Sequence, residues 1–183
     1  MPAFYHYLFV FALVARASDL LTTWLVTPSL KLEANPVARK FGWPYAFLTL
    51  FAALFAYWWP PVCVALTTTS FLVAGSNAMK IPMARSLGED AYFQLMIENA
   101  AKDSFWPGLF ARLASLPFYA LLAGFMFFFF RDPNTWDFWI AYGVALYAGV
   151  LAIFYTRSYV RLRKLGRALL ANNVPASPSR QSE

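Results

Sequence analysis

The hydrophobic positions of this chain gather into long runs separated by short polar stretches. Five runs approach the roughly 20 mostly apolar residues that a membrane-spanning helix needs. They cover about residues 5–29, 41–59, 61–79, 113–130 and 138–156. The last four contain no charged residue, whereas the first carries Arg16 and Asp19 near its middle. Only Pro60 separates the second run from the third, so Trp58-Trp59-Pro60-Pro61 reads as a tight hairpin turn. Proline ends helices there because it has no amide hydrogen to donate. Ala120-x-x-x-Gly124 and Ala145-x-x-x-Gly149 are small-residue pairs that permit close helix approach, so Gly124 and Gly149 are expected packing positions.

A connector of residues 80–112 lies between the third and fourth runs. Ser86, with Glu89 three residues later, reads as a capping box opening a helix over about 87–102. Tyr92, Phe93, Leu95 and Met96 give that helix an apolar side; Gln94, Glu98 and Lys102 give it a polar one. Pro107-Gly108 is expected to break it. Such a helix suits the membrane surface, or a lid or docking role.

Composition narrows the class further. Sixty per cent of the residues are hydrophobic and only 13% are charged, against about a quarter charged in soluble domains. One soluble core of 183 residues does not hide so much apolar surface, so the bilayer is the expected solvent. The fold class is therefore all-α: a polytopic integral membrane bundle of about five transmembrane helices plus one amphipathic cytoplasmic surface helix. Residues 1–156 form the transmembrane domain and 157–183 a basic cytoplasmic tail.

Basic residues set the orientation, because they are retained on the cytoplasmic side. Lys31, Arg39 and Lys40 follow the first run, Lys80, Arg85, Lys102 and Arg112 the third, and Arg157, Arg161, Arg163, Lys164, Arg167 and Arg180 the fifth. The opposite connections hold only Arg131. This alternation places the N-terminus outside and the C-terminus in the cytoplasm of an inner-membrane protein. Trp43 and Tyr45, Trp58 and Trp59, Trp136 and Trp139, and Tyr155 and Tyr159 sit at span ends, as an interfacial aromatic belt would. The tail's positive charge suits anionic lipid head groups, and orientation alone accounts for the charge, so no nucleic-acid partner is expected. The last ten residues, from Val174, are short, polar and expected to be disordered. Ala15-Arg16-Ala17 mimics a signal-peptidase site, but no positive n-region precedes it, so cleavage is not expected. Cys63 is the one cysteine, which excludes an internal disulfide.

The polar residues inside the first run are the informative ones. An ionised side chain at a helix centre costs roughly 2.5–3.5 kcal/mol on insertion scales. Arg16 and Asp19 are three apart and share a helix face, so they can pair. Thr22 and Thr23 continue that face. The pair is either a structural lock or a binding or relay site. Glu33-Ala34-Asn35-Pro36 follows, with Asn35 suited to an N-cap and Pro36 to a first helical turn. Asn77, at the inner end of the third run, comes to the same depth as Thr23, Glu33 and Asn35, which outlines a cytoplasm-facing polar pocket with Asp19 deeper. Asp19 and Glu33 are 14 residues apart, about 21 Å along a continuous helix, so sharing a site requires the chain to bend back after Pro28.

Asp19-Leu20-Leu21-Thr22-Thr23, followed by Glu33-Ala34-Asn35-Pro36, resembles the D-x-x-T-T … E-x-N-P signature of a family of small polytopic prokaryotic membrane proteins. A later-helix asparagine, matched by Asn77, often accompanies it. The resemblance covers roughly the first 80 residues, marks positions and implies no reaction. No phosphate-binding glycine loop, nucleophile elbow or histidine metal motif occurs, and the sequence names no cofactor and no metal site. Three readings stand. The first is a binding or transport-related protein for an ion, lipid or small solute, using Arg16, Asp19, Thr22, Thr23, Glu33, Asn35 and Asn77. The second is an accessory subunit with a membrane-protein partner or a homodimer. The third is an intramembrane enzyme using Asp19 or Glu33.

Overall fold

The computed structural model describes residues 3–172, and they fold as a helical bundle with no strand among them. Helix α1 spans Ala3–Val26. Its buried residues, Leu8, Ala12, Ala15, Asp19, Thr23 and Val26, recur every three or four positions and so form one stripe. The alanines on that stripe let α1 lie close against the third span.

The second run is not the uninterrupted helix that its composition implies. Helix α2 covers Pro36–Leu48, a 3-10 segment covers Thr49–Leu54, and α3 covers Phe55–Trp58. Pro44 disfavours helical backbone just before it. The chain resolves the conflict at Gly42, whose φ of 72° and ψ of −161° only glycine adopts freely. The tight turn after Trp58 occurs as expected, and α4 runs Pro60–Ala78. Thr67, Thr68, Thr69 and Ser70 each donate to the carbonyl four residues earlier, so α4 satisfies its hydroxyls internally.

The connector contains α5 (Ile81–Leu87), α6 (Glu89–Lys102) and α7 (Phe105–Arg112). The capping box is absent. Ser86 lies inside α5, where its hydroxyl donates to Met83 O, and Gly88 (φ 81°) divides the two helices. The positive φ at Gly88 is what splits the predicted helix. Pro107-Gly108 lies within α7; the break falls at Asp103-Ser104 instead. Proline is tolerated there because it occupies the first turn. Helix α8 (Leu116–Phe129) is about 21 Å long, shorter than the roughly 30 Å hydrocarbon core. Taken with α7, across a 46° bend, it reaches the length and apolarity of a span.

Helix α9, Trp136–Asn172, has 37 residues and is about 55 Å long. It outreaches the bilayer core, and its C-terminal half carries the basic residues. Phe93, Met96, Ile97 and Ala100 of α6 pack with Tyr159 and Leu162 of that half. The apolar side of the amphipathic connector helix thus meets α9. Tyr155 and Tyr159 are not belt residues: Tyr159 is fully buried and Tyr155 is bonded to α4. Arg161 and Arg163 also turn inward, to Lys31 O and to the Tyr159 hydroxyl. Arg180 and the stretch from Val174 lie outside the described residues.

Four helical segments, Ala3–Val26, Pro36–Trp58, Pro60–Leu87 and Trp136–Ala171, and a fifth if the bent α7–α8 pair counts as one, are long and apolar enough to cross a membrane. Phe118, Leu121, Phe125 and Phe128 on α8 are 62–74% exposed, as expected of a lipid-facing surface and not of one facing water. The protein is an all-α polytopic membrane bundle.

Close backbone approach does not occur at Gly124 or Gly149, where an added Cβ would meet nothing within 4 Å. It occurs at Gly143 against α4, at Gly166 against α6 and at Gly108 against Tyr159. The small-residue pairs therefore do not mark the contacts within the chain.

Candidate functional site

The chain does bend back after Pro28. Residues 27–35 form a compact connection in which Leu30, buried and at φ 59°, accepts a left-handed conformation. The Thr27 hydroxyl accepts from Leu32 N, and Glu33 N donates to Leu30 O. Glu89, at the first turn of α6, fastens this connection. Its carboxylate accepts from Thr27 Oγ1 at 2.5 Å, from Ser29 Oγ at 2.8 Å and from Ser29 N at 3.2 Å. A carboxylate there also complements the positive end of the α6 dipole. Lys31 donates to Asp90, and that carboxylate raises the pKa of the exposed Lys31 ammonium. Trp43 Nε1 donates to Pro28 O.

Glu89→Gln is therefore expected to loosen the connection. Hydrogen bonds to charged groups contribute about 1.5–3 kcal/mol each. Hydrogen exchange of the amides of Ser29 to Ala34 should accelerate while α1 and α4 stay protected. Equal protection in the variant would show that Glu89 does not hold this segment.

A cavity of about 500 Å³ opens between this connection, α1, α2, α4 and α9. Arg16, Asp19, Thr23, Glu33, Asn35 and Asn77 all line it. Thr22 does not. Its hydroxyl donates back to Ser18 O and Asp19 O, which satisfies it within α1.

At the deep end Arg16 Nη1 donates to Asp19 Oδ2 at 2.9 Å and to Ser70 Oγ at 3.1 Å, and Nη2 donates to Thr49 Oγ1 at 2.6 Å. The guanidinium thus joins α1, α4 and the start of the 3-10 segment. Its Nε is buried without a partner. Asp19 is 8% exposed, and Arg16 is its ion-pair partner.

One level further along, Asn77 Nδ2 donates to Thr23 Oγ1 at 3.0 Å. Lys80 Nζ donates to the Tyr155 hydroxyl at 3.0 Å and to Asn77 Oδ1 at 3.4 Å. Ser76 shares a hydrogen bond of 3.1 Å with the same phenol. Asn35 caps α2 by accepting from Val37 N, Pro36 fills the first helical turn, and Glu33 Oε1 accepts from Asn35 N at 2.7 Å.

Sequence reasoning passed over Thr49, Ser70, Ser76, Lys80 and Tyr155. Thr49 is the one serine or threonine in residues 41–59, which was a usable signal. In the sequence Lys80 has the place of an orientation residue and Tyr155 that of a belt residue, and only their shared cavity distinguishes them.

Comparison of the chain with protein-family models, curated proteins and solved structures found no match.

Proposed function

We propose that this protein binds a small ligand in the cavity between α1, α2, α4 and α9. One observation carries the reading: a 500 Å³ space is lined by side chains of both signs together with amides and hydroxyls. A concave space with mostly apolar walls and a few placed polar groups is the form that small-ligand sites take. Intramembrane ionisable residues mark binding or relay sites by default. Asp19, Thr23, Glu33 and Asn35 of the D-x-x-T-T … E-x-N-P signature are then cavity positions, with Asp19 and Glu33 as anionic groups and Thr23, Asn35 and the accompanying Asn77 as hydrogen-bonding ones. Arg16 holds Asp19 in place.

Under this proposal the protein lies in the inner membrane with its N-terminus outside. The cavity and the 27–35 connection then face the cytoplasm. The exposed Arg157, Lys164 and Arg167 are left to meet anionic lipid heads.

Native mass spectrometry of gently solubilised protein tests the reading. A retained small adduct is expected in the wild type and should be lost in Asp19→Asn and in Asn77→Ala, with both variants still folded. An adduct unchanged in both variants would place it elsewhere and sink the proposal. A stoichiometric protein partner without a small adduct would favour an accessory subunit.

A further inference from the structure

The charges around the cavity divide into compensated and uncompensated ones. Asp19 is neutralised by Arg16. Lys80 and Glu33 line the same space, yet neither is paired with the other or with any other charged side chain among the described residues. Both are half-buried. Each is held by neutral partners. Lys80 is held by the Tyr155 phenol and the Asn77 carbonyl, over the face of the Tyr155 ring at 5.1 Å, and Glu33 by the Asn35 amide. Arg112 also borders the cavity and is covered by the Tyr159 ring at 5.0 Å. An unpaired ammonium and an unpaired carboxylate thus line one cavity.

From this we infer that the ligand is a zwitterion, with an anionic phosphate taken by Lys80 and an ammonium taken by Glu33. The donors suit that assignment. The Lys80 ammonium and the hydroxyls of Tyr155 and Ser76 form one hydrogen-bonded cluster on the cavity wall that can donate to an anion, while Glu33 offers acceptor oxygens. A ligand of one sign alone would satisfy one of the two groups and leave the other uncompensated as water is displaced.

The rest of the lining indicates what the head group is attached to. Leu20, Val26, Val73, Val150, Leu151 and Phe154 make most of the remaining wall apolar. The charged groups lie where α1 has ended and α4 is ending, at the loop end of the bundle. Lipid phosphates lie at that level when the apolar helices span the core. The chemistry therefore fits a phosphoethanolamine-type head on an apolar chain, held with its head at the 27–35 end. This inference rests on the cavity being a ligand site.

The test is a native mass-spectrometry titration of the full chain with diacyl lipids of identical chains and different heads. In the wild type, the phosphoethanolamine lipid should bind about tenfold tighter than the phosphoglycerol lipid, since one unpaired charge is at stake. Glu33→Gln should erase that preference by weakening the phosphoethanolamine lipid alone. Lys80→Gln should weaken both lipids. The wild-type comparison stands even if a variant fails to fold. Equal or tighter phosphoglycerol binding in the wild type overturns the inference, and so does a preference that survives Glu33→Gln in folded protein.

Soluble phosphoethanolamine separates two sources of the same chemistry. Displacement of the lipid at comparable concentration assigns the site to a free zwitterion; failure to displace assigns it to the lipid. A non-zwitterionic adduct that Asp19→Asn removes would overturn the zwitterion and keep the cavity reading. No adduct with any head group would overturn both.

Discussion

Arg16→Met is expected to destabilise the bundle by about 3–5 kcal/mol, the usual cost of leaving a buried charge without its partner. The guanidinium donates to Asp19, Ser70 and Thr49, so one substitution removes bonds on three elements. The largest share of the loss comes from Asp19, which stays 8% exposed with no cation beside it. The expected signature is non-additivity. Adding Asp19→Leu to Arg16→Met should recover most of the lost stability, because an apolar pair of similar volume no longer has to desolvate charge. Thermal unfolding of the two single variants and the double variant in one detergent measures this. A double variant as unstable as the sum of the singles would mean that the pair is not the lock of this bundle.

Gly143→Ala should cost about 1–3 kcal/mol, the range for overpacking a tight contact. Its added Cβ would stand 2.6 Å from Thr68 Cβ and 2.7 Å from Ala65 O. Neither atom yields readily. Ala65 O belongs to the α4 backbone and also accepts from Thr69 Oγ1, which in turn bonds Gly143 O at 3.0 Å. Helices α4 and α9 would have to separate, and the cavity between them would change with them. Gly166→Ala should behave similarly, since it meets Ile97 O and Ala101 Cβ at 2.7 Å each. Gly124→Ala and Gly149→Ala are the controls. With open space around them they should be neutral, or stabilising by up to about 1 kcal/mol through helix propensity. Loss of stability at Gly124 with no loss at Gly143 would reverse the packing described here.

The two predictions draw on different kinds of information. Arg16 and Asp19 stand out in the sequence because charge is expensive in an apolar run and must be answered. Gly143 does not stand out. It lies in no small-xxx-small pair with the residues that touch it, and its importance comes from α4, 74 residues away along the chain.

The same division runs through the rest of the molecule. The apolar runs determined, by length and composition, that the chain is a helical membrane bundle, and Trp58-Trp59-Pro60-Pro61 determined the turn between α3 and α4. These follow from local chemistry: the bilayer requires internal backbone hydrogen bonds, and proline removes one. Local rules also announced the Asn35 cap and the pairing of Arg16 with Asp19. The tertiary structure alone decided that Glu89 fastens the 27–35 connection instead of capping a helix with Ser86, and that α6 packs on α9. It alone brought Tyr155 of α9 to the cavity beside Lys80, Glu33 and Asn77. Each of those outcomes depends on how helices lie side by side. That arrangement is set by shape and by long-range partners, and a one-dimensional pattern of polar and apolar residues records neither.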